Sequence, residues 1–125
     1  MAAVQTVGNN YFTKAGALSD NTLITAYTCG DQGEKQAEVI GITVAAATAN
    51  ADTCTVKRRQ ASDSTDYTIV FKGVVEADYP LQIEGLPIHL TTGESIKLQA
   101  TAGATNALHY HITVHLMTAT APGGK

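Results

Sequence analysis

The alternation of apolar and polar side chains is clearest in the last quarter of the chain. From Ala107 to Met117, Leu108, Tyr110, Ile112, Val114 and Leu116 take one set of alternate positions, and His109, His111, Thr113, His115 and Met117 take the other. Successive side chains of a strand point to opposite faces, whereas a helix would scatter both sets around its circumference. The pattern predicts a strand with one greasy face and one imidazole-bearing face.

Shorter runs read the same way. Ile96, Leu98 and Ala100 alternate with Ser95, Lys97 and Gln99, Leu86, Ile88 and Leu90 with Pro87, His89 and Thr91, and Tyr67, Ile69 and Phe71 with Thr68, Val70 and Lys72. Ile40, Ile42 and Val44 mark a further strand with Gly41 as its bulge or close-packing point. Leu23 to Thr28 and Cys54 to Val56 predict short strands, and Pro80 restricts Tyr79 to Ile83 to an edge or a strand start. Ala45 to Ala51 is too short to stand as a helix and reads as a strand end and loop. Turn-forming residues separate the runs, as in Gly30-Asp31-Gln32-Gly33, Asp63-Ser64-Thr65-Asp66, Glu84-Gly85, Thr92-Gly93-Glu94 and Gly103-Ala104-Thr105-Asn106. About eight short strands so spaced predict an all-β fold, an antiparallel β-sandwich of jelly-roll type. Residues 1–20, with Val4, Val7, Tyr11, Phe12 and Leu18 scattered among Gly and Asn, predict an extended N-terminal arm or a short strand plus loop. Residues 21–118 form the sandwich, and 119–125, ending in Pro-Gly-Gly-Lys, a flexible tail.

A chain of 125 residues with 44% apolar positions has room for one core without metal or disulfide staples. The formal net charge of −3, without a concentrated basic face, argues against a nucleic-acid binder. Lys57-Arg58-Arg59 is the one basic cluster and reads as a solvated strand end that discourages edge pairing. No run approaches the roughly 18–20 apolar residues of a membrane span, and Met-Ala-Ala-Val-Gln has no signal-peptide pattern, so synthesis and folding in a cytoplasm are expected. Cys29 and Cys54 are too few for a disulfide framework; buried free thiols or a single bridge both remain open.

The search for chemistry finds no nucleophile elbow, P-loop or dinucleotide fingerprint, and predicts neither an enzyme nor a cofactor. Asp31, Glu34, Asp63 and Asp66 fall in turns, where carboxylates cap backbone groups. His109 and His111 lie about 7 Å apart on one strand face and could hold a metal if His89 or a neighbouring subunit supplied a third ligand. A cupin-like site would need a carboxylate after this pair, and Lys125 is the only charged residue that follows. The polar face of this strand carries no formal charge over eleven residues, which predicts that another subunit or partner covers it. The interface candidates are therefore His109, His111, His115 and Met117, with Tyr11 and Phe12 from the arm. Imidazoles meeting across such a contact would repel once protonated in mild acid.

The stretch Leu86 to Ala100, with its Leu90-Thr91-Thr92-Gly93-Glu94-Ser95-Ile96 turn, followed by Asn106-Ala107-Leu108 and the long alternating strand, resembles small bacteriophage virion structural proteins. Thr53 to Arg58 and Tyr67 to Lys72 look like the paired strands that precede this turn there, so the likeness spans roughly Glu38 to Met117. It implies a jelly-roll or β-sandwich capsid cement or decoration protein, located in the virion and associating with the major capsid protein or other virion subunits. Trimers are the oligomer it implies. The alternative is a tail, neck or fibre-associated jelly roll with an adhesive or glycan-binding role, for which Tyr27, Tyr67 and Tyr79 are the aromatic candidates. The first 20 residues have no counterpart in that pattern.

Overall fold

In a computed structural model, residues 10–101 and 107–117 are described, leaving aside the side chains of Leu86 and Pro87. Eight strands follow in chain order: β1 Asn10–Leu18, β2 Ile24–Thr28, β3 Gln36–Ala46, β4 Asp52–Gln60, β5 Thr65–Val75, β6 Leu81–Thr91, β7 Ser95–Ala100 and β8 Leu108–Met117. The first pairs with the last, the second with the seventh, the third with the sixth and the fourth with the fifth, all antiparallel. Such pairing is that of one long hairpin, and rolling it up adds the β3–β8 and β4–β7 contacts. Two four-stranded sheets result, ordered β1-β8-β3-β6 and β2-β7-β4-β5. This is the jelly-roll form of the β-sandwich.

The strands sit where they do because each greasy face needs a cover. Leu108, Tyr110, Ile112 and Val114 of β8 and Val39, Ile42 and Val44 of β3 are buried, as are Cys54 and Val56 of β4, Ile96 and Leu98 of β7, and Tyr27 of β2. The alternation read along 107–117 is the division seen, with Leu108, Tyr110, Ile112 and Val114 inward and His109 and His111 exposed. Cys29 and Cys54 are both buried free thiols, and loss of hydration pushes each up to about 11.

Three expectations change. Residues 10–18 of the supposed arm are the edge strand β1, in continuous register with β8 from Asn10↔Leu116 to Leu18↔Leu108. The sandwich therefore begins at Asn10; residues 1–9, the flexible tail expected at 119–125 and the turn expected at 103–106 lie outside the described residues. Gly16 makes the β1 pairing possible, since a Cβ there would stand 2.5 Å from the Tyr110 hydroxyl and 2.7 Å from its ring. Second, Tyr79 to Ile83 and Leu86 to Leu90 are not separate strands joined by a Glu84-Gly85 turn. Residues 81–83 and 86–90 both belong to β6, with Tyr79 and Pro80 in the turn before it, and the strand kinks at Gly85 (φ +81°) where Gly85, Leu86 and Pro87 stand opposite Ile40 alone. Third, Lys57-Arg58-Arg59 lies toward the end of a strand as expected, but that strand, β4, is flanked by β5 and β7 and is not an edge to be protected.

Candidate functional site

The outer face of the β1-β8-β3-β6 sheet gathers all four histidines. Register sets the side chains in rows across the strands: Ala17–His109–Ala45, then Ala15–His111–Thr43–Gln82, then Thr13–Thr113–Gly41–Glu84, then Tyr11–His115–Glu38–His89, and last Met117–Gln36–Thr91. Ile40, the extra residue of the β3 bulge, is pushed outward to 40% exposure. The face is knit sideways: Tyr11 stacks on His115 with ring centroids 5.0 Å apart, the Thr13 and Thr113 hydroxyls are 3.3 Å apart, and His89 Nε2 lies 3.2 Å from Gln36 Oε1.

Among the described residues, Glu38 and Glu84 are the only formally charged side chains on this face; Lys14 falls on the inner row, opposite Ile112. Near the β1 edge the surface dips into a shallow apolar depression of about 330 Å³ lined by Ala15, Gly16, Ala17, His109 and His111. A broad face of Thr, Ala, His and amide side chains costs less to desolvate than a charged one, provided its polar groups regain hydrogen bonds on contact. Its chemistry suits docking of protein.

The residues singled out from sequence divide here. His109, His111, His115, Met117 and Tyr11 do share this one face. Phe12 does not: it falls on the inner row of β1, half-buried, with its ring 6.2 Å from that of Tyr27. His89 does not complete a metal site with His109 and His111, because register places it two strands away, level with His115. Among the described residues no three His, Cys, Asp or Glu side chains are grouped to hold a metal. Tyr27 is fully buried and is no stacking platform, and the Tyr67 hydroxyl donates to Asp63 at 2.6 Å.

The buried carboxylates hold loops together. Burial raises the Glu94 carboxyl, but the Thr91 N–H (3.0 Å), Arg58 Nη2 (2.8 Å) and the Ala61 N–H (3.2 Å) outweigh it and bring the value down to about 2. One side chain thus ties the β6–β7 turn to β4 and to the β4–β5 turn. Gly93, at φ +92°, donates its N–H to Cys29 O, and Cys29 N–H returns a bond to Glu94 O, which fastens the β2–β3 loop to the same turn. Glu34 accepts the Tyr27 hydroxyl and the Gln32 N–H; burial raises its carboxyl, yet the Tyr27 bond and backbone N–H groups leave it below its ordinary value. The Gly-Glu turn that carried the sequence resemblance is therefore a structural rivet. Arg59 likewise pairs with Asp66 at 3.2 Å.

No family model matches the chain, and no curated protein sequence matches it. Among solved structures it is similar to a chain of the cyanophage Pam1 capsid asymmetric unit (16% identity, 93% of this chain and 91% of that one, TM-score 0.48). It is also similar to a chain from Bacillus endospore appendages, described as disulfide-linked pili (10% identity, 95% and 100%, TM-score 0.45). A third is the CBM22-1 xylan-binding domain of Paenibacillus barcinonensis Xyn10C (12% identity, 93% and 100%, TM-score 0.42). At these scores and identities no function is read from any of them.

Proposed function

We propose that the protein is a bacteriophage virion structural subunit, a cement or decoration protein that seats on the capsid shell and stabilises it without catalysis. The observation that carries the reading is the outer face of the β1-β8-β3-β6 sheet, wide and nearly free of charge, with exposed Tyr11 and Ile40 and the apolar depression beside His109 and His111. The character of the face supports a docking role, and the likeness of the Leu86 to Met117 sequence pattern to phage structural proteins supports a virion setting. Binding through such a face stabilises the shell by mass action only once the shell presents its counterpart. Assembly as a trimer is part of the proposal.

Cosedimentation with the expanded shells and, separately, the tails of the cognate phage tests it. Retention on shells, weakened roughly tenfold when Thr113 at the centre of the face becomes Arg, is the expected result. Binding to tails or fibres alone would move the protein to the alternative seat, and binding to neither would end the virion reading. Sedimentation equilibrium of the free protein reads the oligomer.

A further inference from the structure

The opposite sheet carries a feature that shell docking does not use. On the outer face of β2-β7-β4-β5 lies a groove of about 220 Å³, lined by Thr55 and Lys57 of β4, Thr68, Phe71 and Lys72 of β5, and Gln99 of β7, among others. Two irregularities in the β4–β5 register shape it, between Cys54 and Val56 and between Val56 and Lys57. At the first, Lys72 adopts a left-handed backbone, φ +51°, unusual for a side chain with a Cβ, and its N–H donates to Thr55 Oγ1 at 3.1 Å. The following Gly73 is held glycine by Val70 and Leu81, from which a Cβ would stand 2.7 and 2.9 Å. The bulge throws Phe71 outward to 72% exposure, the highest among the exposed large apolar side chains. Lys72 Nζ lies 5.3 Å from the centroid of that ring.

Strained backbone of this kind persists where surrounding contacts enforce it, and it concentrates at ligand clamps. Here it places a flat apolar ring at the rim of the groove with an ammonium over one of its faces, leaving the other face open to a ligand. Two ammonium groups, Lys57 and Lys72, line the groove with no carboxylate among its lining residues, although the chain as a whole carries a net charge of −3. Asp66, the nearby acid on the same sheet, is already engaged by Arg59 at 3.2 Å and Lys97 at 4.0 Å. A bare anion would need the ammonium groups and not the ring. A nucleic acid would need a longer basic stripe. A pyranose bearing a carboxylate uses every part: its C–H face against Phe71, its acid on Lys57 and Lys72, and its hydroxyls on Thr68 and Gln99. The volume falls below the range of drug-sized sites, which begins at roughly 300 Å³, and suits a single sugar unit within a chain.

From this geometry we infer that the groove beside Phe71 is a binding site for an acidic saccharide. It faces away from the proposed docking face, so a protein seated on a shell by one sheet would present the saccharide site outward on the other. The site stands on its own geometry and does not depend on the shell reading.

Titration of the purified full chain with oligogalacturonate, with neutral galactose oligomers and with inorganic phosphate, followed by NMR shifts, tests it. The uronate probe is expected to saturate, moving resonances of β4, β5 and Gln99. Phe71→Ala and Lys57→Gln should each weaken it roughly tenfold, the size of one lost charge-assisted or stacking contact, with unfolding midpoints unchanged. Neutral oligomers binding as well as the uronate, phosphate binding that is indifferent to Phe71→Ala, or no shift with any probe would each overturn the assignment.

Discussion

The two outer faces of this sandwich are built from the same alternation and come out chemically opposed. On the β1-β8-β3-β6 sheet the outward positions hold histidines, threonines, alanines and amides, with Glu38 and Glu84 as the described charges. On β2-β7-β4-β5 they hold Lys57, Arg59, Lys97 and Asp66, and a bulge opens a groove beside Phe71. The inner faces of both sheets are interchangeable grease. Packing explains the fold but does not distinguish the sheets; the outward set and the register breaks give each face its chemistry.

That contrast can be broken most severely at β1. Gly16→Val should cost about 3 kcal/mol, since the added methyl groups have no space beside the Tyr110 ring, and β1 should detach first. Urea unfolding is expected to show the loss, and shell binding should fall while uronate binding survives wherever the protein remains folded.

Glu94 should affect both faces alike, because its carboxylate ties the β6–β7 turn, which joins the two sheets, to β4 and the β4–β5 turn. Its folded value, about 2, lies below the ordinary 4.5, so its contribution is complete above pH 4.5 and is lost as pH falls toward 2. The expected size is about 2 kcal/mol, reduced by solvent screening of the partly exposed Arg58. Glu94→Gln should lose stability at pH 7 and flatten the decline between pH 4.5 and 2, as read by thermal unfolding against pH.

A sharper separation comes from exchanging single side chains. Thr113→Arg should weaken shell retention roughly tenfold and leave uronate binding intact, and Lys57→Gln should do the reverse. Smallest of all, Lys72→Gly should relieve the left-handed backbone and stabilise the protein by about 0.5–1 kcal/mol in chemical denaturation, with no effect on shell retention.

Much of this contrast was legible before any coordinates. The division of 107–117 into inward and outward sets needs only a period of two, whereas the expected count of about eight strands matches only because the missing β1 is offset by the splitting of β6. β1 was hidden because Thr13, Lys14, Ala15, Gly16 and Ala17 carry little apolar signal; the strand is specified by β8, whose His111 pairs with Ala15 nearly a hundred residues earlier. β6 reads as two strands because Glu84-Gly85 has the composition of a turn, and its continuity rests on pairing with β3. The histidine face was visible as a set on one strand, but His89, on β6, joins it only through the sheet order. Phe71 was read as one alternating position among others, because a bulge has no signature in local alternation. Lys57-Arg58-Arg59 was a run in sequence and becomes three separate roles in space: groove wall, partner of Glu94 and partner of Asp66.

Covalent footprinting of the shell-bound protein tests the division of labour most directly, since all four histidines lie on one sheet face and Lys57, Lys72 and Lys97 belong to the other sheet. Carbethoxylation of His109 and His111 should be suppressed on binding, while acylation of Lys57 and Lys72 proceeds as in the free protein. Protected lysines with freely reactive histidines would contradict the account.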